Sequence, residues 1–279
     1  MRRRDFLAAL AVAVAACKSK PVTSAADGGA SRVVSLSPST TETVWALGAL
    51  AKLVGRSRYC DYPPEVKALP EVGGYVDPNL EAILALRPDL VVGARGPAGR
   101  RVFDTLGEKG IATYFPSTET VDDVLAMIRG LGERIGLREE GERVASRVDA
   151  RLADIAKKNA PLAHPRVLLL FGVQPIVAAG PKSFGDEILA RAGAINVVTA
   201  GDTYPTLDIE AVAGLDPDVI VDAAVAEEHG AQRITKTAGG WSRVRAVQRD
   251  RVVAIADEVV LRPGPRIADG VEILSRAIR

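Results

Sequence analysis

The side chains that most often carry catalysis are scarce in this sequence. The only two histidines are His164, which precedes Pro165, and His229, within the segment AEEHGAQ. Neither lies in a G-x-S-x-G, H-E-x-x-H or cysteine-rich context. Glu227, Glu228 and His229 are adjacent, so on a helix they would point in different directions and could not share one metal ion. We therefore predict no enzyme activity, no catalytic residue, no metal and no cofactor, with surface or linker roles for both histidines.

Phosphate and nucleic-acid chemistry are equally poorly supported. The stretch GARGPAGR, residues 93–100, resembles a glycine-rich phosphate loop only loosely, because it lacks the Lys-Ser/Thr pair of a P-loop. An ordinary strand-to-helix turn is the better prediction. The formal net charge is +1, and beyond the N-terminus there is no block of like charges, so nothing predicts a nucleic-acid partner.

Residues 1–17 indicate an export signal rather than part of the fold. Three arginines, at positions 2 to 4, precede an apolar run of about ten residues, which is too short to span a bilayer permanently. The tetrapeptide VAAC ending at Cys17 resembles the lipobox of bacterial lipoproteins, which implies acylation of Cys17 and a membrane anchor. RRDFL also resembles a twin-arginine signal core, and a plain secretory signal is the alternative. Residues 18–31 then form a flexible tether, and Cys60 has no cysteine left to pair with.

The rest of the chain is globular in composition, since the sequence is 47% hydrophobic and 25% charged. It is divided by residues 121–159, which predict two helical segments with a break near Gly136. In the second, residues 139–159, apolar side chains recur at steps of four, four and three: Val144, Val148, Leu152 and Ile155. We predict an N-terminal domain of residues 32–120, a helical linker of residues 121–163 and a C-terminal domain of residues 164–279.

Each half alternates strands with helices. RVVSLS (residues 32–37) and RVLLLFG (residues 166–172) are typical of buried parallel strands, and PSTTE (residues 38–42) predicts an N-cap with an acidic first turn. NLEAILALRPDLV (residues 79–91) and DIEAVAGLDPDVI (residues 208–220) match at six positions with one constant offset, which indicates a duplication. The predicted fold class is α/β: two parallel-sheet lobes joined by one long helix, with a ligand cleft between them.

An exported, membrane-tethered chain with two lobes is typical of a receptor. This sequence resembles the cobalamin-binding members of the periplasmic substrate-binding proteins that feed ABC transporters, whose lobes are bridged by one long helix. Besides the repeated segments, the resemblance rests on four stretches: RVVSLSPSTTETVWALGA, SRYCDYPPE, FGVQPIVAAGPKSF and RPGPRIADGVEIL. It covers nearly the whole mature chain. It implies a monomeric, periplasmic or extracytoplasmic lipoprotein that binds a corrinoid and delivers it to a permease dimer.

The ligand residues follow from the chemistry of a corrinoid and from the resemblance. A corrinoid is a large, flat macrocycle rimmed with amides, so a receptor needs apolar faces and a few polar groups. The resemblance implies that the ring contacts are Tyr59, Tyr75, Phe171 and Tyr204, and that the polar contacts are Arg95, Glu258 and Arg262. The alternative for each tyrosine is a loop residue packed on its own lobe.

The identity of the ligand stays open at this point. Tyr75 and Tyr204 stand where the family commonly has tryptophan, and two valines follow Glu258, so the pocket is less aromatic than expected. Haem or a ferric siderophore is the alternative, because relatives with this architecture bind them. A tyrosinate could ligate haem iron, whereas a ferric catecholate would need convergent arginines. The candidates for that role are Arg58, Arg95 and Arg262.

The repeat also implies a docking surface. Glu81 and Glu210 occupy the same position in the two copies, near the start of each duplicated helix. The helix dipole alone favours an acidic residue in a first turn. The resemblance implies more, because in these receptors a glutamate at this place on each lobe meets arginines of one permease subunit.

Overall fold

The N-terminal lobe is built on one parallel sheet. The computed structural model describes residues 28–95, 100–224 and 234–279, except for the side chains at 100, 101 and 103. The strands are β1 Val33–Ser35, β2 Leu53–Arg56, β3 Leu90–Val92 and β4 Ala112–Tyr114, in the spatial order β2-β1-β3-β4. The helices between them are α1 Pro38–Ala46, α2 Leu80–Ala85 and α3 Arg100–Glu108. Each helix returns the chain so that the next strand runs parallel, as predicted.

Two helices connect the lobes. They are α4 Val121–Arg134, capped by the Thr120 side chain, and the 22-residue α5 Arg138–Asn159. The predicted break falls at Gly136, whose φ is +78°. A Cβ on Gly132 would lie 2.9 Å from the Cα of Gly141, so the absence of side chains lets the two helices approach closely. The predicted long helix is therefore α5, and α4 precedes it as a separate helix.

The C-terminal lobe contains a mixed sheet. Its strands are β5 Arg166–Val173, β6 Ile176–Ala178, β7 Ile195–Asn196, β8 Thr206–Leu207, β9 Val219–Asp222 and β10 Val252–Ala254. Its helices are α6 Phe184–Arg191, α7 Ile209–Leu215, α8 Arg245–Gln248 and α9 Ile267–Ala277. The order is β10-β9-β5-β6-β8, with β7 also paired to β5. β5, β7, β9 and β10 are parallel, as predicted. β6 runs antiparallel to β5, because the two-residue turn between them can only form a hairpin, and β8 pairs antiparallel with β6.

The buried apolar side chains form three clusters. One belongs to the N-terminal lobe and includes Leu36 and Ile83, and one belongs to the C-terminal lobe and includes Leu168 and Val212. The third takes residues from β1, α4, α5, β5 and α9. Since buried apolar surface contributes about 25 cal/mol per Å², the connecting helices are strongly held to both sheets.

The duplication is visible at both ends of the repeated helices. Asn79 and Asp208 cap α2 and α7, and each side chain accepts a hydrogen bond from the backbone N–H three residues on, at 3.0 and 2.7 Å. Arg87 and Asp216, just after the helices, have φ of 49° and 45°. A left-handed conformation is uncommon for residues other than glycine. Its recurrence at equivalent positions therefore supports a common origin of the two segments.

The repeat also includes a polar clamp onto the first strand of each lobe. The Asp89 and Asp218 carboxylates accept hydrogen bonds from the backbone N–H groups of Arg32 and Arg166, each at 3.0 Å. The two guanidinium groups in turn donate to carbonyl groups at the ends of α2 and α7, at 2.7 and 2.9 Å. Charge-assisted bonds of this kind fix geometry as well as adding stability. They explain why the repeated aspartates follow the repeated helices.

The prediction of an acidic first turn in α1 is wrong. Ser37 is the N-cap and accepts a hydrogen bond from the Thr40 backbone, and the first turn contains no acidic residue. Glu42 lies in the middle of the helix and is buried. Its position follows from two arginines of the other lobe, which compensate its charge.

Candidate functional site

Four aromatic side chains form two pairs, one on each lobe. The rings of Tyr59 and Tyr75 meet edge to face with their centroids 6.0 Å apart, and those of Phe171 and Tyr204 do so at 5.5 Å. Tyr59 is 46% exposed, Tyr75 is 40% exposed and Tyr204 is 41% exposed. Large aromatic side chains are usually well buried, so these paired and exposed rings are the candidate binding surface.

The N-terminal pair is held by contact between two loops. The backbone N–H of Arg58 donates to the carbonyl of Gly73 at 2.9 Å, which joins the loop that carries Tyr59 to the loop that carries Tyr75. Gly73 has φ +89°, and a Cβ there would lie 2.6 Å from the carbonyl oxygen of Asp77. Only glycine fits this turn without displacing the backbone. The spacing of the two rings is thus set by the main chain.

The C-terminal pair depends on two further glycines. Gly180 donates its backbone N–H to the loop that carries Tyr204, at 2.9 Å. A Cβ on Gly180 would lie 2.0 Å from the carbonyl oxygen of Asp202, so a side chain there would push this loop away. A Cβ on Gly185 would lie 3.0 Å from the Phe171 ring. Both glycines therefore serve the placement of the aromatic pair.

Tyr204 is also tied to the segment that leads into α4. Its hydroxyl donates to Glu119 Oε2 at 2.8 Å. Burial, followed by the hydrogen bond and charge of Glu119, raises the pKa of Tyr204 above its ordinary value. Close by, Glu187 Oε2 on α6 accepts the backbone N–H of Val121 at 3.0 Å. These two bonds fasten the C-terminal lobe to the beginning of the connecting segment.

A buried carboxylate joins the lobes on another side. The Glu42 side chain is 1% exposed, and Arg266 donates through Nε and Nη2 to its two oxygens at 2.8 and 2.7 Å. Arg262 Nη1 donates to Glu42 Oε1 at 3.1 Å. Glu42 belongs to α1, whereas both arginines precede α9. The bidentate geometry is the strong form of an arginine–carboxylate pair.

Arg262, one of the predicted ligand contacts, is only 11% exposed. Besides Glu42 it donates to Asp61 Oδ1 at 2.8 Å, and it pairs with Glu258, the predicted contact four residues earlier. Burial lowers the pKa of Arg262, but the bond to Asp61 and the charges of all three carboxylates outweigh it, so the pKa is raised. The structure therefore brings Arg262 and Glu258 together, and it occupies Arg262 with carboxylates of the protein.

The other two candidate arginines differ from each other. Arg58 donates through Nη1 and Nη2 to the two carboxylate oxygens of Asp77, at 3.0 and 2.9 Å, and its Cζ lies 5.7 Å from the Tyr59 ring centroid. This bond is the main cause of the raised pKa of Arg58. Arg95 is exposed, and its side chain forms no ion pair within the described ranges, which omit its neighbours 96–99. The three arginines therefore do not form a cluster of free cations.

The remaining predicted residues are easily placed. Glu81 and Glu210 are exposed in the first turns of α2 and α7. Cys60 is a buried free thiol, and burial raises its pKa. His164 holds each ring nitrogen 3.1 Å from a backbone carbonyl oxygen, those of Gly193 and Ala160, which is a structural role.

Several predictions fall outside the described residues, namely the lipidation of Cys17 and the roles of Glu227, Glu228 and His229. Within the described ranges, no group of His, Cys, Asp and Glu is arranged to hold a metal ion. The helices in those ranges are also too short or too polar to cross a bilayer.

Two surface depressions lie away from the aromatic pairs. One, of about 350 Å³, is lined by residues that include Lys236 and Asp250, and the other, of about 320 Å³, by residues that include Lys158 and Glu272. Neither contains a predicted ligand residue. The apolar faces of a flat macrocycle need apolar or aromatic side chains to pack on, and both depressions are lined by exposed charged ones. The aromatic pairs therefore remain the candidate site.

Sequence reasoning missed four carboxylates of this region: Glu42, Asp61, Asp77 and Glu119. Each has its partner on another element, and short sequence windows show only local spacing. The position of Asp61 between two loop tyrosines was a usable signal. A second was the pair of arginines, Arg262 and Arg266, one helical turn apart before α9.

The fold agrees with the comparison to known families. The family model described as "Periplasmic binding protein" matches residues 33–259, and the chain belongs to this family. It is 31% identical over 246 residues to the vitamin B12-binding protein of Vibrio cholerae serotype O1, covering 87% of both chains. It is 29% identical over 254 residues to YvrC, an uncharacterized ABC transporter substrate-binding lipoprotein of Bacillus subtilis (strain 168), covering 88% of this chain and 79% of that one.

Solved structures with the same fold include receptors for two kinds of macrocycle. The periplasmic vitamin B12-binding protein BtuF of Vibrio cholerae matches with a TM-score of 0.74 at 30% identity, covering 90% of this chain and 97% of that one. The periplasmic heme-binding protein RhuT from Roseiflexus sp. RS-1 matches with a TM-score of 0.78 at 27% identity, covering 90% and 98%. This chain is therefore a periplasmic binding protein of the ABC-transporter type.

Proposed function

We propose that this protein captures a corrinoid, cobalamin or a close relative, between its lobes and delivers it unchanged to the permease dimer of an ABC importer. The observation that carries the proposal is the pair of aromatic surfaces, Tyr59 with Tyr75 on one lobe and Phe171 with Tyr204 on the other. Partly exposed rings suit the two faces of a flat macrocycle. The relatives named for vitamin B12 support the same ligand.

The charges beside the aromatic pairs also favour an amide-rimmed ligand over an anionic one. Arg58 is engaged by Asp77, and Arg262 by Glu42 and Asp61. An anion would have to break these pairs before it could use the guanidinium groups. A ferric catecholate, which needs several convergent arginines, is therefore the weakest of the three ligands considered.

Haem is the second candidate. The observation in its favour is the exposed phenol of Tyr75, together with the likeness of the fold to a heme-binding protein. A tyrosinate is an established axial ligand of haem iron. Tyr204 is poorly suited to that role, because its hydroxyl already donates to Glu119.

Calorimetry of the mature chain against cobalamin, cobinamide, haemin and a ferric catecholate tests the proposal. We expect binding of at least one corrinoid that is tighter than binding of haemin, and recovery of the corrinoid chemically unchanged. Tight haemin binding without any corrinoid binding would assign the receptor to haem instead. A chemically altered corrinoid would contradict the proposal that no reaction is performed.

We propose that Glu81 and Glu210 are the docking residues for the permease. Both are exposed at equivalent places of a duplicated segment, so a receptor with approximate twofold symmetry would match a twofold transporter. Charge pairs at the rim of an interface mainly set orientation and association rate. This role agrees with a monomeric receptor divided into residues 32–120, 121–163 and 164–279, the domain limits that we propose.

We propose that the chain is exported and anchored to a membrane through acylated Cys17. The VAAC sequence supports this, as does the relative named a lipoprotein. Metabolic labelling with palmitate should modify the wild type and leave Cys17→Ala unlabelled. A labelled and membrane-bound Cys17→Ala would contradict the anchor.

A further inference from the structure

Five charged side chains meet where the two lobes touch: Glu42, Asp61, Glu258, Arg262 and Arg266. We call this group the inter-lobe ion cluster. Its first two members belong to the N-terminal lobe, and the other three to the segment that precedes α9. The cluster is therefore held together only while the lobes are in contact.

Burial makes the centre of the cluster sensitive to separation of the lobes. Glu42 is almost fully removed from water, and within the described residues it is paired with two arginines of the other lobe, Arg262 and Arg266. A buried carboxylate that loses its arginine partners without regaining water carries an uncompensated charge, which is strongly unfavourable. The lobes can therefore separate at this point only if water reaches Glu42. Arg266 is further held by stacking, with its Cζ 3.7 Å from the ring centroid of Tyr62.

The cluster also reaches the candidate ligand site. Asp61 follows Tyr59 by two residues, and its carboxylate accepts a hydrogen bond from Arg262 at 2.8 Å. The residue between them, Cys60, accepts a hydrogen bond from Thr41 of α1 at 3.0 Å. The loop that carries Tyr59 is thus hydrogen-bonded both to its own lobe, through Cys60, and to the opposite lobe, through Asp61.

We infer that Glu42, Arg262 and Arg266 are positioning residues that hold the face bearing Tyr59 at a fixed separation from the C-terminal lobe before any ligand enters. Among the described residues, the lobes are then joined through the core shared with α4 and α5, through the bond from Tyr204 to Glu119 and through the inter-lobe ion cluster. A receptor restrained in this way is preorganised, and it closes little on binding. The expected change in ligand affinity rests on the proposed function, whereas the expected change in the separation of the lobes without ligand does not.

Small-angle X-ray scattering of the chain without ligand tests the inference. Glu42→Gln keeps the volume of the side chain and removes its charge, so we expect a larger radius of gyration than in the wild type. Saturating cobalamin should restore the wild-type value. If the binding-competent fraction falls to about one tenth, the apparent dissociation constant rises about tenfold. Glu142→Gln, which breaks an exposed pair with Arg129 on the connecting helices, is the matched control and should change neither quantity.

Two variants of Arg266 check that the expansion expected for Glu42→Gln comes from loss of the ion pair and not from misfolding of that variant. Arg266→Met approaches the same contact from the other lobe, at a more exposed side chain, and should expand the unliganded chain in the same way. Arg266→Lys keeps the charge and should recover part of the wild-type compactness. An unchanged radius of gyration in both Glu42→Gln and Arg266→Met would overturn the inference, even if affinity fell. If the wild type bound no corrinoid, the proposed function would fail, and the scattering comparison would still decide the inference.

Discussion

The hydroxyl of Tyr204 donates a hydrogen bond of 2.8 Å to Glu119, across the junction between the C-terminal lobe and the segment that enters α4. The bond orients the ring, which also packs on Phe171. The hydroxyl is therefore used within the protein, and the exposed part of the ring is left for a ligand.

This arrangement predicts different effects for two substitutions of Tyr204. Tyr204→Phe keeps the ring and should bind the corrinoid within about 1 kcal/mol of the wild type, the scale of one hydrogen bond. Tyr204→Ala removes the ring and should weaken binding by about 1 to 3 kcal/mol. Calorimetry with cobalamin measures both. Equal losses in the two variants would mean that the hydroxyl, not the ring, contacts the ligand.

Substitutions of Tyr75 distinguish the two candidate ligands, a corrinoid and haem. If the ligand is a corrinoid that packs on the ring, Tyr75→Ala should cost about 1 to 3 kcal/mol of binding free energy, and Tyr75→Phe should cost little. If the phenol ligates haem iron, Tyr75→Phe should instead change the visible spectrum of the haemin complex. Normal corrinoid binding by Tyr75→Ala would place the site elsewhere.

The fold could be predicted largely from local signals. The breaks and apolar stripe of residues 121–159 predicted α4 and α5, and the matched segments predicted equivalent helices. The structure adds that their caps, Asn79 and Asp208, are also equivalent. The antiparallel strands β6 and β8 were not predicted, because strands of two or three residues lack a clear period. The first turn of α1 was misjudged, because Ser37 is the N-cap and Glu42 therefore lies beyond the first turn.

The site was predictable only in part. Aromatic residues in loops are few in this chain, so Tyr59, Tyr75 and Tyr204 could be singled out without coordinates. The partners of the arginines could not, since Arg262 meets Glu42 across more than two hundred residues of sequence. Long-range ion pairs leave no periodic trace in a single sequence, which is why the pairing of Arg262 with Glu42 was not predicted.

The proposed docking role of Glu81 and Glu210 can be tested by transport. We expect Glu81→Ala and Glu210→Ala each to leave ligand affinity unchanged and to impair uptake through the partner permease, and the double variant to abolish it. The losses should depend on ionic strength, because exposed charge pairs are screened by salt. Glu108→Ala, at another exposed glutamate, is the control. Normal uptake by the folded double variant would leave both residues with no role beyond the helix dipole.

The inter-lobe ion cluster predicts a dependence of stability on pH. Burial raises the pKa of Asp61, but the hydrogen bond and charge of Arg262 outweigh it, so its pKa in the folded chain lies below the ordinary value of about 3.9. The resulting stabilisation is complete above that value and is lost as the pH falls through the folded pKa. Asp61→Asn should therefore flatten the decline of the free energy of unfolding below about pH 5, as measured by urea denaturation. An identical decline in both proteins would mean that Asp61 is not stabilised by Arg262.

The central proposal is that a corrinoid, and not haem, binds at the two aromatic pairs, and direct competition tests it best. The mature chain is mixed with equal, excess amounts of cyanocobalamin and haemin, separated from free ligand by gel filtration, and examined by absorption spectroscopy. We predict the corrinoid spectrum at close to one equivalent, and its loss when Tyr75 and Tyr204 are both replaced by alanine. A haem spectrum in the wild type, or a corrinoid spectrum that persists in the double variant, would contradict the account.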